Sequence, residues 1–279
     1  MHTTNIPFEA ALNAPTENGT AYHRHFRSRN LIAEESPAAS QASHSQSTNF
    51  DECVRLSIYK GATAIKRNSV PAMFTLSLMA LLAWAYNSIP SVNSFFHQVS
   101  ILKQTMGIAF PILAAGLSVG LISECYAYFS SSTRRWTMQN TLNFGFLFLT
   151  FGIMSAAKEP IFVLLANLYG AGNDTTVLVK KMLFDQFVWT VFLACPYQTL
   201  LFSWKNHGFS LQKMKLECPT FSEFFAVKML PVLLSNWAFW IPMSVIIYSF
   251  PTNLQLPVSI IAISLWVCIL NLLTKSEKA

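Results

Sequence analysis

Glu124, Asp185, Gln186, Tyr197, Gln198 and Asn236 are the side chains best suited to do chemistry, and all lie in or at the ends of long apolar blocks. A charged group at the centre of a bilayer costs about 3 kcal/mol on insertion scales, and polar groups at membrane depth usually face the interior of a helix bundle. The chemistry open to them is non-covalent: holding a cation, ordering water, or hydrogen-bonding a polar solute. Covalent catalysis would need a nucleophile with a base, a carboxylate pair or a histidine cluster. The chain contains no G-x-S-x-G and no H-E-x-x-H, and its histidines (His2, His23, His25, His44, His97, His207) fall outside the apolar blocks. His23-Arg24-His25 reads better as part of a solvated arm than as a metal site. Cys53, Cys125, Cys195, Cys218 and Cys268 are widely spaced, so there is no CxxC redox or zinc pattern. No catalytic residue, metal or cofactor is expected.

The polar residues fall into four groups. Gly116, Gly120 and Glu124 recur every four residues, which places them on one helical face. The glycines permit close approach of another backbone. Glu124 either lines a pathway or is capped by water, Arg134 or Arg135. Lys181 and Asp185 are four apart and suit an ion pair across one turn, either at the interface or in a pore wall. Pro196 removes a backbone donor and frees the carbonyl of Phe192, so a kink is expected beside Tyr197 and Gln198. Such a kink could act as a hinge or simply as packing. Pro231 and Pro242 enclose Asn236, Trp237 and Trp240, with Asn236 facing either a neighbouring helix or a solute.

The elements that carry these groups must be membrane helices. The chain is 52% hydrophobic and only 11% charged, whereas a soluble domain is about 25% charged. Residues 1–49 are polar and aperiodic and are expected to be a disordered arm. This arm has no apolar core of a secretory signal, and its glutamates fit poorly with a mitochondrial presequence. Residues 50–69 read either as a basic amphipathic helix on the membrane surface or as a lead-in to the first span. A helical membrane domain follows over 70–273, with spans expected near 70–89, 105–128, 140–166, 182–204, 226–249 and 255–273. Each provides the roughly 20 residues that a hydrocarbon core needs. Residues 274–279 form a short polar tail. The fold class is therefore all-α and polytopic, with about six transmembrane helices.

Arg55, Lys60, Lys66, Arg67, Arg134, Arg135, Lys205, Lys213, Lys215, Lys228, Lys275 and Lys278 fall on one side of this topology. Lys103, Lys180 and Lys181 fall on the other, with Lys158 at an outer end. This asymmetry places both termini inside. The net charge of +6 is explained by these flanking residues rather than by a nucleic-acid surface.

The ordered set Gly116-x-x-x-Gly120 with Glu124, Arg134 with Pro160, Lys181-x-x-x-Asp185-Gln186, and Pro231 with Pro242 resembles the family of the Mpv-seventeen protein and the twenty-two-kilodalton peroxisomal membrane protein. The resemblance covers about residues 110–273. The chain departs from the family pattern at Leu230, Leu234, Trp237 and Glu159, where that pattern has Trp, Gln, Asn and Gly. The resemblance implies a small helical protein of a mitochondrial inner or peroxisomal membrane, or of the inner membrane of a bacterium, with channel-like permeability to small solutes or ions. The implied solute path runs past Asp185, Gln198, Asn236 and Glu124, with the carboxylates biasing it toward cations or water. A non-transporting assembly protein is the alternative, and an intramembrane enzyme ranks below both. The partners expected are the lipid bilayer and small solutes or ions, with a homo-oligomer left open and no nucleic acid.

Overall fold

The structure is a computed structural model that describes residues 39–131, 134–172, 174–217 and 220–276. Residues 1–38 of the expected arm and 277–279 of the tail lie outside the described residues. Among the described residues every regular element is a helix.

Helix α1 spans Ala39–Ser88, so the segment expected at 50–69 and the first span are one continuous helix. At 1.5 Å per residue its 50 residues reach about 75 Å, more than twice a hydrocarbon core. Helix α2, Pro90–Met106, starts with proline at its first position, where a missing N–H costs nothing. Helix α3 is Ala109–Ser130 and α4 is Met138–Tyr169. Thr137 caps α4 through a reciprocal box with Asn140, and Gly170 ends it at φ 101°, a conformation that glycine adopts without strain.

Thr175–Asn206 is one uninterrupted helical stretch with two windings. Helix α5 is Thr175–Phe184, a π-helical segment covers Asp185–Ala194, and α6 is Cys195–Asn206. The short α7 is Leu211–Glu217. Thr220 and Glu223 form a second capping box on α8, Phe221–Phe224. A five-residue π-helical segment, Phe225–Met229, leads from it into α9, Leu230–Tyr248. Helix α10 is Thr252–Ser276.

The two π-helical segments share a cause. Each ends two residues before a proline: Ala194 before Pro196, and Met229 before Pro231. In an α-helix the proline ring meets the carbonyl four residues back. Here the last N–H before each proline bonds five residues back, Cys195 to the Thr190 carbonyl and Leu230 to the Phe225 carbonyl. The wider winding takes up the ring without a break. Pro196 thus stands at the start of α6 within a helix that continues through it. Pro242 lies within α9.

Among the described residues four helices are long and apolar enough to cross a membrane: Val54–Ser88, Ala109–Phe129, Met138–Tyr169 and Phe221–Tyr248. Thr252–Cys268 is a shorter apolar helix. Phe74, Trp84, Leu142, Leu149 and Phe192 are all exposed on the outside of the bundle. Apolar surface on that scale suits lipid better than water.

Helices α3 and α4 form the tightest pair. A Cβ at Gly116 would lie 2.7 Å from Phe148 Cδ2 and 2.8 Å from the Phe148 carbonyl oxygen. A Cβ at Gly120 would lie 3.0 Å from the Phe144 ring, and one at Gly152 would lie 3.0 Å from the Ile112 carbonyl. The small residues of both helices therefore set the spacing. Helix α1 runs along α9, with Gly61 against Leu234. Helix α10 packs on α1, α3 and α4, and its Leu256, Val258 and Ala262 join Phe162, Leu165 and Met243 in the main core. Trp266 of α10 stacks on Phe239 of α9 at 4.2 Å between ring centroids.

Candidate functional site: a polar cavity inside the bundle

Between α1, α4, the first π-helical segment, α9 and α10 lies a cavity of about 330 Å³. Its wall includes Asp185, Gln186, Gln198 and Asn236, four of the six residues picked out by type, together with Lys158. The rest of the wall is largely apolar and aromatic, including Phe162, Trp189, Trp240 and Trp266.

Asp185 is paired with Lys158 of α4, not with Lys181. A pairing one turn along the same helix was expected. The carboxylate instead opens the π-helical segment facing α4, and Lys158 meets it from there. The Lys158 side chain is 15% exposed and that of Asp185 8%, which makes this a largely buried ion pair. The Lys158 ammonium also lies 5.1 Å from the Phe162 ring centre and 5.2 Å from that of Trp189, in the range of a cation–π contact. Lys181 is buried, and its ammonium has no hydrogen-bond partner among the described residues.

Gln186 organises the next layer. Its Nε2 donates to the Ser244 hydroxyl at 2.8 Å and approaches Asp185 Oδ2 at 3.4 Å. Ser244 in turn donates to Asp185 Oδ2 at 3.4 Å. Because a carboxylate only accepts, the amide must present its nitrogen on that side, which leaves Gln186 Oε1 on the other. That oxygen is buried and has no hydrogen-bond partner among the described residues. The backbone carbonyl of Gln186, inside the widened winding, accepts a 2.9 Å bond from Trp237 Nε1 of α9. Tyr248, one turn beyond Ser244, is fully buried.

Gln198 and Asn236 are half-buried on the cavity wall, and their amides have no hydrogen bond to another described residue. Tyr197 points elsewhere, donating at 3.3 Å to the Thr150 carbonyl of α4. Glu124 is also away from the cavity. It is buried between α3 and α4 and accepts a 2.8 Å bond from Asn140 Nδ2. With Gly116 and Gly120 it belongs to the α3–α4 interface. The expected path past all of Asp185, Gln198, Asn236 and Glu124 is therefore not a single space: the first three share one cavity, and Glu124 does not line it.

Sequence reasoning missed Lys158, Ser244 and the aromatic wall. Lys158 was expected at the outer end of its span. A signal was there: a lysine inside an apolar block needs a counter-charge, and the next apolar block supplies Asp185. Ser244 had none, since serines are common in membrane helices. The carboxylate bias toward cations also needs revising, because Lys158 supplies the opposite charge within the same cavity.

The described residues form only helices, four of them long and apolar enough to cross a bilayer, around a polar cavity, which is consistent with an integral membrane protein. No protein-family model matches the chain, and no curated protein or solved structure matches it.

Proposed function

We propose that the protein is a multi-helix permeation protein for small solutes that does no covalent chemistry. In this reading the chain crosses the membrane six times: Thr175–Asn206 and α10 complete the four long apolar helices, and both termini lie on the inner side. The observation that carries it is the shared cavity. Asp185, Gln186 and Gln198 of the Thr175–Asn206 stretch and Asn236 of α9 line one space of about 330 Å³. That volume is at the lower end of the range for small-molecule sites. Polar groups at membrane depth usually mark substrate and ion pathways. The likeness of the Lys181-Asp185-Gln186 and Pro231-Pro242 segments to the Mpv-seventeen family supports the same reading, and with it a mitochondrial inner, peroxisomal or bacterial inner membrane.

The test is flux. Protein reconstituted into liposomes should carry small solutes faster than empty liposomes do, and Asp185→Asn should change the rate or the selectivity. Flux equal to that of empty liposomes over a wide solute panel would end the proposal. The rival assembly role expects Gly120→Leu to abolish activity and Asp185→Asn to do little. It loses support because Gly116 and Gly120 already face Phe148 and Phe144 of the same chain, which leaves that groove filled.

A further inference from the structure

Three features of the cavity bear on what it would hold. The first is charge. Lys158 and Asp185 oppose each other across the wall, so the cavity offers an ion no unmatched partner there. A cation entering beside Asp185 must displace a lysine already held between two aromatic rings. The second is the orphan acceptor. Gln186 is 2% exposed, lines the cavity, and has a buried Oε1 with no donor among the described residues. Its orientation is fixed by Ser244 and Asp185 on the nitrogen side. Buried polar atoms are paired in the great majority of cases, and an exception calls for an absent partner. The third is the pair of amides on Gln198 and Asn236, each able to donate and to accept.

We infer that the cavity binds a small uncharged solute bearing O–H or N–H donors, such as a short polyol or urea, with one donor bonded to Gln186 Oε1. The inference rests on the reading of the cavity as a solute site and names its substrate class. The Gln198 and Asn236 amides bond the remaining polar groups of the solute. Its carbon skeleton lies against the Trp240 and Trp266 rings. The Lys158–Asp185 pair stays closed and excludes ions.

Glycerol and urea are the probes. Stopped-flow light scattering of proteoliposomes should show both entering faster than into empty liposomes, while potassium and chloride fluxes stay at background. Gln186→Leu should slow glycerol roughly tenfold, the loss of about one hydrogen bond's net contribution. Gln198→Leu serves as a second variant, because that amide holds no bond to another described residue and its loss should not impair folding. A separate binding readout uses cavity tryptophans. Trp189, Trp240 and Trp266 line the site, so glycerol should change tryptophan emission of the detergent-solubilised protein saturably, and Gln186→Leu should weaken that change.

Ion flux with glycerol at the empty-liposome rate would overturn the inference and leave the permeation reading standing. Saturable, Gln186-dependent emission changes without any flux would uphold the site and end the permeation reading. Neither flux nor saturable binding would mean that Gln186 Oε1 meets ordered water only, and both would fall.

Discussion

Replacing Lys158 by methionine separates the buried ion pair from every other feature of the fold. Methionine keeps most of the side-chain volume and its contact with Phe162 and Trp189, and removes only the charge. Asp185 is then left with Gln186 and Ser244, both 3.4 Å from Oδ2, too long to hold a carboxylate on their own. With side-chain exposures of 15% and 8%, the pair falls in the buried regime rather than the surface one. Removing one partner of a buried pair costs about 3–5 kcal/mol, against at most about 1 kcal/mol for an exposed pair. Asp185→Leu alone should cost a similar amount by stranding the ammonium. The double variant Lys158→Met/Asp185→Leu strands neither charge, and should recover to within about 1 kcal/mol of the parent or exceed it. The measurement is reversible unfolding in mixed micelles, arranged as a double-mutant cycle. Contacting residues show coupling of roughly 0.5–3 kcal/mol, and this pair should lie at or above the top of that range. A Lys158→Met variant within 1 kcal/mol of the parent, or single effects that simply add, would refute the pairing.

Four further outcomes are expected. Gly116→Ala should destabilise by about 1–3 kcal/mol in thermal unfolding, because the new methyl group meets the Phe148 backbone oxygen, which cannot rotate away. Gly145→Ala on α4, with open space around it, should be neutral or stabilise by about 0.5 kcal/mol. Glu124→Leu should cost about 1–3 kcal/mol by removing the acceptor for Asn140, yet leave solute flux per folded molecule unchanged, because Glu124 does not line the cavity. Cysteines placed at Gly172 and Lys213 should react with an impermeant maleimide from opposite sides of the membrane; labelling of both from one side would break the six-crossing topology.

Much of the fold was legible because lipid imposes simple rules. Apolar length alone marked out α3, α4 and α9 to within a few residues, and Gly116 with Gly120 pointed to a close helix pair. The π-helical winding ahead of Pro196, where a kink was expected, was not legible. Proline rules describe α-helices, and a π-helical turn satisfies them by moving the preceding bond one carbonyl further back. The boundary expected between 50–69 and the first span was drawn from composition, and helices do not end where composition changes. At the site, residue type found Asp185, Gln186, Gln198 and Asn236, since polar groups in apolar blocks stand out. Their partners were harder to find. Whether Asp185 meets Lys181 four residues away or Lys158 twenty-seven away depends on which face of the segment looks inward, which a four-residue spacing alone does not settle. Glu124 and Tyr197 share the same conspicuous chemistry but face α4, and nothing in their spacing separated them from the cavity residues.

The ion pair also bears on how the chain enters the membrane. Lys158 leaves the ribosome before Asp185, on a helix that is complete before its counter-charge exists. During that interval α4 carries an uncompensated ammonium at a cost of about 3 kcal/mol on insertion scales. The next helical stretch cancels this only once it has folded back alongside. In the six-crossing reading, Met138 to Asn206 is expected to insert as a single unit, its first half entering lipid only together with its second. A nascent chain halted before Asp185 emerges would stay beside the channel, and one halted after it would move into lipid.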